Sequence, residues 1–132
     1  MKQKLRYGVS IRLYGENKAF GPGIASLLRR IEETGSLQGA ASSMNMAYSK
    51  AWKILKEAEQ EWGIALTNRE TGGRSGGGST LTAEAMEILA RYEAFVRKAG
   101  EQLDLLFEQE FPSQWLEEIR RGPAAGKRTG NR

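Results

Sequence analysis

The 132 residues contain neither cysteine nor histidine. Without thiols there is no disulfide framework, no thiolate metal site and no cysteine nucleophile. Without imidazole, the commonest general base and the commonest metal ligand are both missing. No apolar run approaches the ~20 residues of a membrane helix. The opening Met1-Lys2-Gln3-Lys4-Leu5-Arg6 has no apolar segment behind it, so it does not read as a signal peptide. A cytoplasmic location is expected. Paired carboxylates are missing too: Glu32-Glu33 and Glu117-Glu118 are sequence neighbours and do not share a helix face. These absences argue against an enzyme, and no cofactor, metal or catalytic residue is expected.

What is present fits a small globular protein. Apolar residues make up 39% of the chain and charged residues 27%, enough for one domain with a core. The net charge of +4 favours a polyanionic partner without settling the matter. Its distribution says more. Residues 1–81 hold twelve bases and seven acids, residues 82–110 three bases and seven acids, and residues 111–132 five bases and two acids.

The most informative segment is Gly35-Ser36-Leu37-Gln38-Gly39-Ala40-Ala41-Ser42-Ser43-Met44-Asn45-Met46-Ala47-Tyr48-Ser49-Lys50-Ala51-Trp52. It reads as two short helices joined by a tight turn. The first is capped by Ser36 and carries a small Ala40-Ala41 pair. The second opens with polar residues before an apolar stripe. This is the layout of a helix-turn-helix, whose second helix enters a DNA major groove.

The flanking elements extend that reading. Leu5, Tyr7, Val9, Ile11 and Leu13 alternate with polar residues and predict a strand, turning at Gly15-Glu16-Asn17-Lys18 into a short return around Ala19-Phe20. Pro22 opens a helix with Ile24, Leu27, Leu28 and Ile31 on one face, and Gly35 closes it. A second helix is predicted over Leu37–Met44 and a third over Ala47–Trp62. In the third, Ala51, Leu55, Ala58 and Trp62 face inward, while Tyr48, Ser49, Lys50, Lys53 and Lys56 form a polar, cationic remainder. Met46, Trp52 and Trp62 are expected in the core. Residues 64–81 read as a β-hairpin with a glycine-rich tip, the wing of a winged helix. Its glycines allow close backbone approach to a partner. The glycine run lacks the Gly-Lys-Ser/Thr of a nucleotide phosphate loop.

Thr82 caps a long amphipathic helix predicted to run to residue 111. Ile88, Tyr92, Phe95, Ala99, Leu103 and Leu106 continue its apolar stripe beyond what a compact domain covers, so they are assigned to a homodimer interface. The organisation expected is a mostly α winged helix-turn-helix with small β-hairpins. Residues 1–81 form the DNA-binding domain with an N-terminal hairpin, 82–111 the dimerisation helix, and 112–132 a basic, disordered tail.

Candidate DNA contacts follow from the geometry of the motif. Tyr48, Ser49, Lys50 and Lys53 occupy the first two turns of the third helix, where side chains reach bases and phosphates. Arg69, Arg74 and Ser75 belong to the wing, where arginines enter a minor groove or hold phosphate. The alternative reading is a dimeric protein-interaction module on the same scaffold, making no DNA contact.

Residues 8–107 resemble the N-terminal DNA-binding domain of the ModE family of molybdate-responsive transcription regulators. The matching motifs are Phe20-Gly21-Pro22-Gly23, Ile31-Glu32-Glu33-Thr34-Gly35-Ser36-Leu37, Ala40-Ala41, Met46-Ala47-Tyr48-Ser49-Lys50-Ala51-Trp52, Thr71-Gly72-Gly73-Arg74-Ser75-Gly76-Gly77-Gly78 and Leu81-Thr82. The helix-turn-helix is also similar to that of LysR-type regulators. The resemblance implies a homodimeric winged helix on a palindromic operator, and a link to molybdenum or other oxyanion metabolism. Family members bind molybdate in C-terminal β domains. The chain ends soon after the long helix, so no intrinsic molybdate site is expected.

Overall fold

A computed structural model of the chain describes residues 4–69 and 78–122. The elements run β1 (Leu13–Tyr14), β2 (Lys18–Phe20), α1 (Pro22–Thr34), α2 (Leu37–Ser43), α3 (Tyr48–Trp62), β3 (Thr67–Arg69), β4 (Ser79–Leu81), α4 (Ala83–Glu110) and α5 (Ser113–Arg121). The fold is mostly α, with two antiparallel two-stranded hairpins, β1–β2 and β3–β4.

Local chemistry sets the helix boundaries. Pro22 sits in the first turn of α1, and its fixed φ suits that position. Gly35 ends α1 at φ 84°, a left-handed conformation that glycine adopts without a Cβ penalty, and its N–H donates to the Ile31 carbonyl. Ser36 caps α2 by accepting the Gly39 N–H at 2.8 Å. Gly63 ends α3 at φ 74°. Thr82 Oγ1 accepts the Ala85 N–H and donates to the Ala65 carbonyl, each at 3.0 Å, so one hydroxyl caps α4 and fixes the chain before it.

Two compact units are formed. In the first, residues 8–94, Phe20, Leu27, Leu28, Ile31, Leu66 and Leu89 are fully buried. Ala40, Ala41 and Ala51 join them, and their short side chains let the backbones of α2 and α3 approach closely. Phe20 lies edge-on to Tyr92 and Trp62. Arg29 of α1 forks onto Glu93 of α4, with Nε 2.9 Å from Oε2, and holds that carboxyl below the usual glutamate range. In the second unit, the ring of Tyr7 lies 5.0 Å from that of Phe107, and its hydroxyl donates to Asp104. That bond raises the Tyr7 pKa. Phe107, Phe111 and Trp115 continue the aromatic row at spacings of 5.5 and 5.7 Å.

Three expectations need correction. The alternating stretch from Leu5 to Ile11 is not a strand; pairing begins only at Leu13. β2 is three residues long, so there is no ladder for the earlier residues to join. They turn to α4 instead: Tyr7 packs on Phe107, and the Ile11 carbonyl accepts the Tyr92 hydroxyl at 2.8 Å. Val9 is exposed.

The second correction concerns the tail. Residues 113–121 form α5, with Pro112 at its N-cap and Arg120 and Arg121 in its last turn, where cations complement the helix dipole. Trp115, Leu116 and Ile119 recur at helical spacing. Residues 123–132 of the expected tail lie outside the described residues.

The third concerns Tyr92, expected on the partner-facing stripe. It is buried in the core of its own domain by the contacts to Phe20 and Ile11. Burial raises its pKa. Among the described residues no helix is long and apolar enough to cross a membrane.

Candidate nucleic-acid interface

The turn between α2 and α3 is tight and fully bonded. The N–H groups of Met44, Asn45 and Met46 return to the carbonyls of Ala41, Ser42 and Ala41 at 3.0, 3.1 and 2.9 Å. The reversal places Asn45 at φ 55°. Asn tolerates this left-handed region better than other residues with a Cβ. Arg30 of α1 donates to the carbonyl and the hydroxyl of Ser43 at 3.1 and 2.9 Å, fixing the end of α2. The orientation of α3 follows from these bonds and from the buried Ala40-Ala41 pair.

On α3 the buried residues are Ala51, Leu55 and Ala58. Successive residues advance about 100° around a helix. The direction opposite this buried face is therefore taken by Ser49, Lys53 and Lys56, with Tyr48 and Lys50 on the flanks. Tyr48, Ser49, Lys50 and Lys53 are all exposed. Lys53 has Glu57 at 3.9 Å in an open surface pair. Lys50 has no ion-pair partner among the described residues.

Trp52, expected in the core, is 48% exposed. It stands about 100° from Ala51, beyond the edge of the buried face. Met46 and Trp62 do pack against the core, and Trp62 Nε1 donates to the Ala19 carbonyl at 2.9 Å. Lys56 is not among the expected contacts. Its ammonium lies 5.7 Å from the Trp52 ring centroid and 3.1 Å from Glu59 Oε1. A helical projection of α3 carries the signal for both residues, because they fall between Tyr48 and Ser49 on its circumference.

The other end of α3 is anchored. Glu59 Oε2 accepts the Leu66 N–H at 2.8 Å, at the approach to β3. Glu61 Oε2 accepts the N–H groups of Glu16 and Asn17 at 2.8 and 3.2 Å, in the turn of the first hairpin. With the Trp62 bond, the last turn of α3 thus holds both hairpins.

The wing is the β3–β4 hairpin, paired Thr67 to Leu81, Asn68 to Thr80 and Arg69 to Ser79. Its base is fastened to the α1–α2 turn by the Ser79 N–H, 2.8 Å from the Gly35 carbonyl oxygen. A Cβ on Gly78 would lie 2.9 Å from that same oxygen. Glycine at 78 is therefore a requirement of close approach, a duty that the glycine-rich sequence did not single out. Arg69 ends β3; Arg74 and Ser75 lie outside the described residues. Among the residues assigned to a dimer interface, Ile88 is half-buried against the core of its own domain, Ala99 and Leu103 are half-buried, and Phe95 and Leu106 are exposed. Among the described residues no His, Cys, Asp and Glu group is placed to hold a metal ion.

Comparison with known proteins agrees with this geometry. Residues 25–86 match the family of bacterial regulatory helix-turn-helix proteins, lysR family, a span from α1 into α4. The chain is 37% identical over 94 residues to the molybdenum transport protein ModE of Herbaspirillum seropedicae, covering 71% of this chain and 33% of that protein. It is 31% identical over 86 residues to the transcriptional regulator ModE of Haemophilus influenzae, covering 65% and 34%. It is 29% identical over 85 residues to the DNA-binding transcriptional dual regulator ModE of Escherichia coli, covering 64% and 32%. The chain spans about a third of the length of these relatives. Its residues 25–86 are thus similar to lysR-type helix-turn-helix proteins, and its N-terminal part is similar to about a third of each of these ModE proteins.

Proposed function

We propose that the protein is a sequence-specific double-stranded DNA-binding transcription regulator that acts as a homodimer on a palindromic operator. The observation that carries this reading is the free end of α3. Tyr48, Ser49, Lys50 and Lys53 project from its first two turns, where a recognition helix meets base edges. Their chemistry suits that role, since Lys and Ser donate to bases or phosphate and the Tyr ring can meet a thymine methyl. The second observation is the apolar stripe of α4, which continues through Phe95 and Leu106 after its contacts to the first core have ended. A second copy of the chain would cover it. Two α3 helices would then enter successive major grooves roughly 34 Å apart. The names of the relatives, a molybdenum transport protein and regulators, make genes of molybdenum or oxyanion metabolism the first targets to inspect. The reaction is binding, with no chemical step, and the setting is the cytoplasm, where the DNA lies.

The test is selection of bound sequences from a random duplex pool by the purified protein at about 0.15 M salt. An enriched inverted repeat is expected. Weak binding with no enrichment would refute sequence-specific regulation by this chain alone. Lys50→Ala should then lower specific affinity and alter base preference at one position; an equal loss on every sequence would make Lys50 a phosphate contact only. Unchanged binding after neutralising Lys50, Lys53 and Arg74 together would favour the interaction-module reading.

A further inference from the structure

Between α3 and the base of the wing lies a hollow of about 50 Å³. Leu37 and Leu55 lie at its apolar side, and Tyr48, Trp52, Lys56, Thr67 and Ser79 complete the lining. Its volume equals that of on the order of one or two waters. A base or a nucleotide cofactor is too large for it, whereas one phosphate group is of the right order. Three hydroxyls and one ammonium are all hydrogen-bond donors, which is the donor set of a phosphodiester site. The ammonium is already positioned. Glu59 takes one of its donors and the Trp52 face lies beside it, leaving donors for a further acceptor. Glu59 is itself held by the Leu66 N–H and is only 14% exposed, so the cation is carried by a fixed carboxylate.

We propose that this hollow seats one DNA backbone phosphodiester, with Lys56 donating to the phosphate and Trp52 packing on the adjoining deoxyribose. The proposal rests on the DNA-binding reading and adds to it a sequence-independent contact that sets the register of α3 in its groove. It also explains why a tryptophan stands half in solvent beside a paired lysine.

Because a phosphate contact releases a counterion, it is read in the salt dependence of binding. Affinities would be measured by fluorescence anisotropy over a salt series, on a random-sequence duplex of about 30 base pairs, roughly three helical turns, and on the selected sequence. Lys56→Gln should reduce the slope of log K against log salt by about 0.9 per seat, and weaken binding about eightfold per seat near 0.1 M salt, or about 60-fold for the two seats of a dimer. Both duplexes should lose the same factor. Lys56→Arg should keep the slope. The double variant Lys56→Gln/Glu59→Gln has the net charge of the parent protein and should still lack the contact. Trp52→Leu should weaken both duplexes equally with the slope intact. Both side chains are about half exposed, so unchanged thermal unfolding is expected and serves as the folding control. A full slope in Lys56→Gln overturns the seat, as does restoration of the slope in the double variant, which would reduce the effect to overall charge. A change of preference at one base position also overturns it. If the parent protein binds neither duplex at low salt, the DNA-binding reading itself fails, and the seat with it.

Discussion

Replacing Gly78 with alanine puts a methyl carbon 2.9 Å from the Gly35 carbonyl oxygen. Since that atom belongs to backbone, relief requires the wing to move away. The movement lengthens or breaks the 2.8 Å bond from the Ser79 N–H to the same oxygen. A lost hydrogen bond costs about 0.5–1.5 kcal/mol, and overpacking adds about 1–3 kcal/mol where the site cannot relax. Against this, alanine restricts the unfolded chain and returns about 0.4–1 kcal/mol. The net expectation is a destabilisation of roughly 2 kcal/mol, or about 6–8 °C in Tm for a chain of this size. Gly100, inside α4, has nothing within 4 Å of its missing Cβ. There Gly100→Ala should stabilise by about 0.5–1 kcal/mol through helix propensity. The assay is urea unfolding of both variants at one fixed protein concentration, because dimerisation would otherwise enter the result. The same substitution at two glycines should thus give opposite signs. A neutral or stabilising Gly78→Ala would refute the account of the wing as fastened to the α1–α2 turn.

Three further outcomes are expected. Asn45→Val should cost about 1–2 kcal/mol at φ 55° while Asn45→Gly is tolerated, as thermal melts would show; equal melts would mean the turn adapts. Leu106→Asp should give monomers by light scattering with the far-UV spectrum retained, since Leu106 is 52% exposed in the single chain; a persistent dimer would move the interface elsewhere. Arg29 keeps Glu93 ionised below the ordinary carboxylate range. That pair therefore contributes fully above the unfolded glutamate value of about 4.3 and fades as pH falls through the lower folded value. Both side chains are two-fifths or more exposed, so the contribution is less than about 1 kcal/mol. Arg29→Gln should lose that amount near neutral pH and nothing in strong acid; an equal loss at both would assign Arg29 a packing role instead.

The helical half of the fold could be read from residues with a stated mechanism. Pro22, Gly35, Ser36, Gly63 and Thr82 each mark a helix end by their own chemistry, and each marks it in the structure. The surface of α3 was legible for the same reason, as the complement of Ala51, Leu55 and Ala58. Four features were not. The alternation of Leu5 to Ile11 carries no information about its neighbour, and a helix surface takes up Tyr7 as readily as a strand would. Residue type puts Trp52 inside, although its angle on α3 places it outside. The charge of the last twenty residues concealed the short apolar repeat of α5. The contact between Gly78 and Gly35 joins segments more than forty positions apart, and no local pattern reports it.

Among the described residues, the side-chain hydrogen bonds that tie α3 to other elements arise in its final turn, from Glu59, Glu61 and Trp62. Tyr48, Ser49, Lys50 and Lys53 make none there. The helix is thus built like a key, with its bow gripped and its teeth unencumbered. Side chains at the toothed end are open to exchange at little cost in stability, so the sequence preference of such a domain can be recut while the grip stays the same.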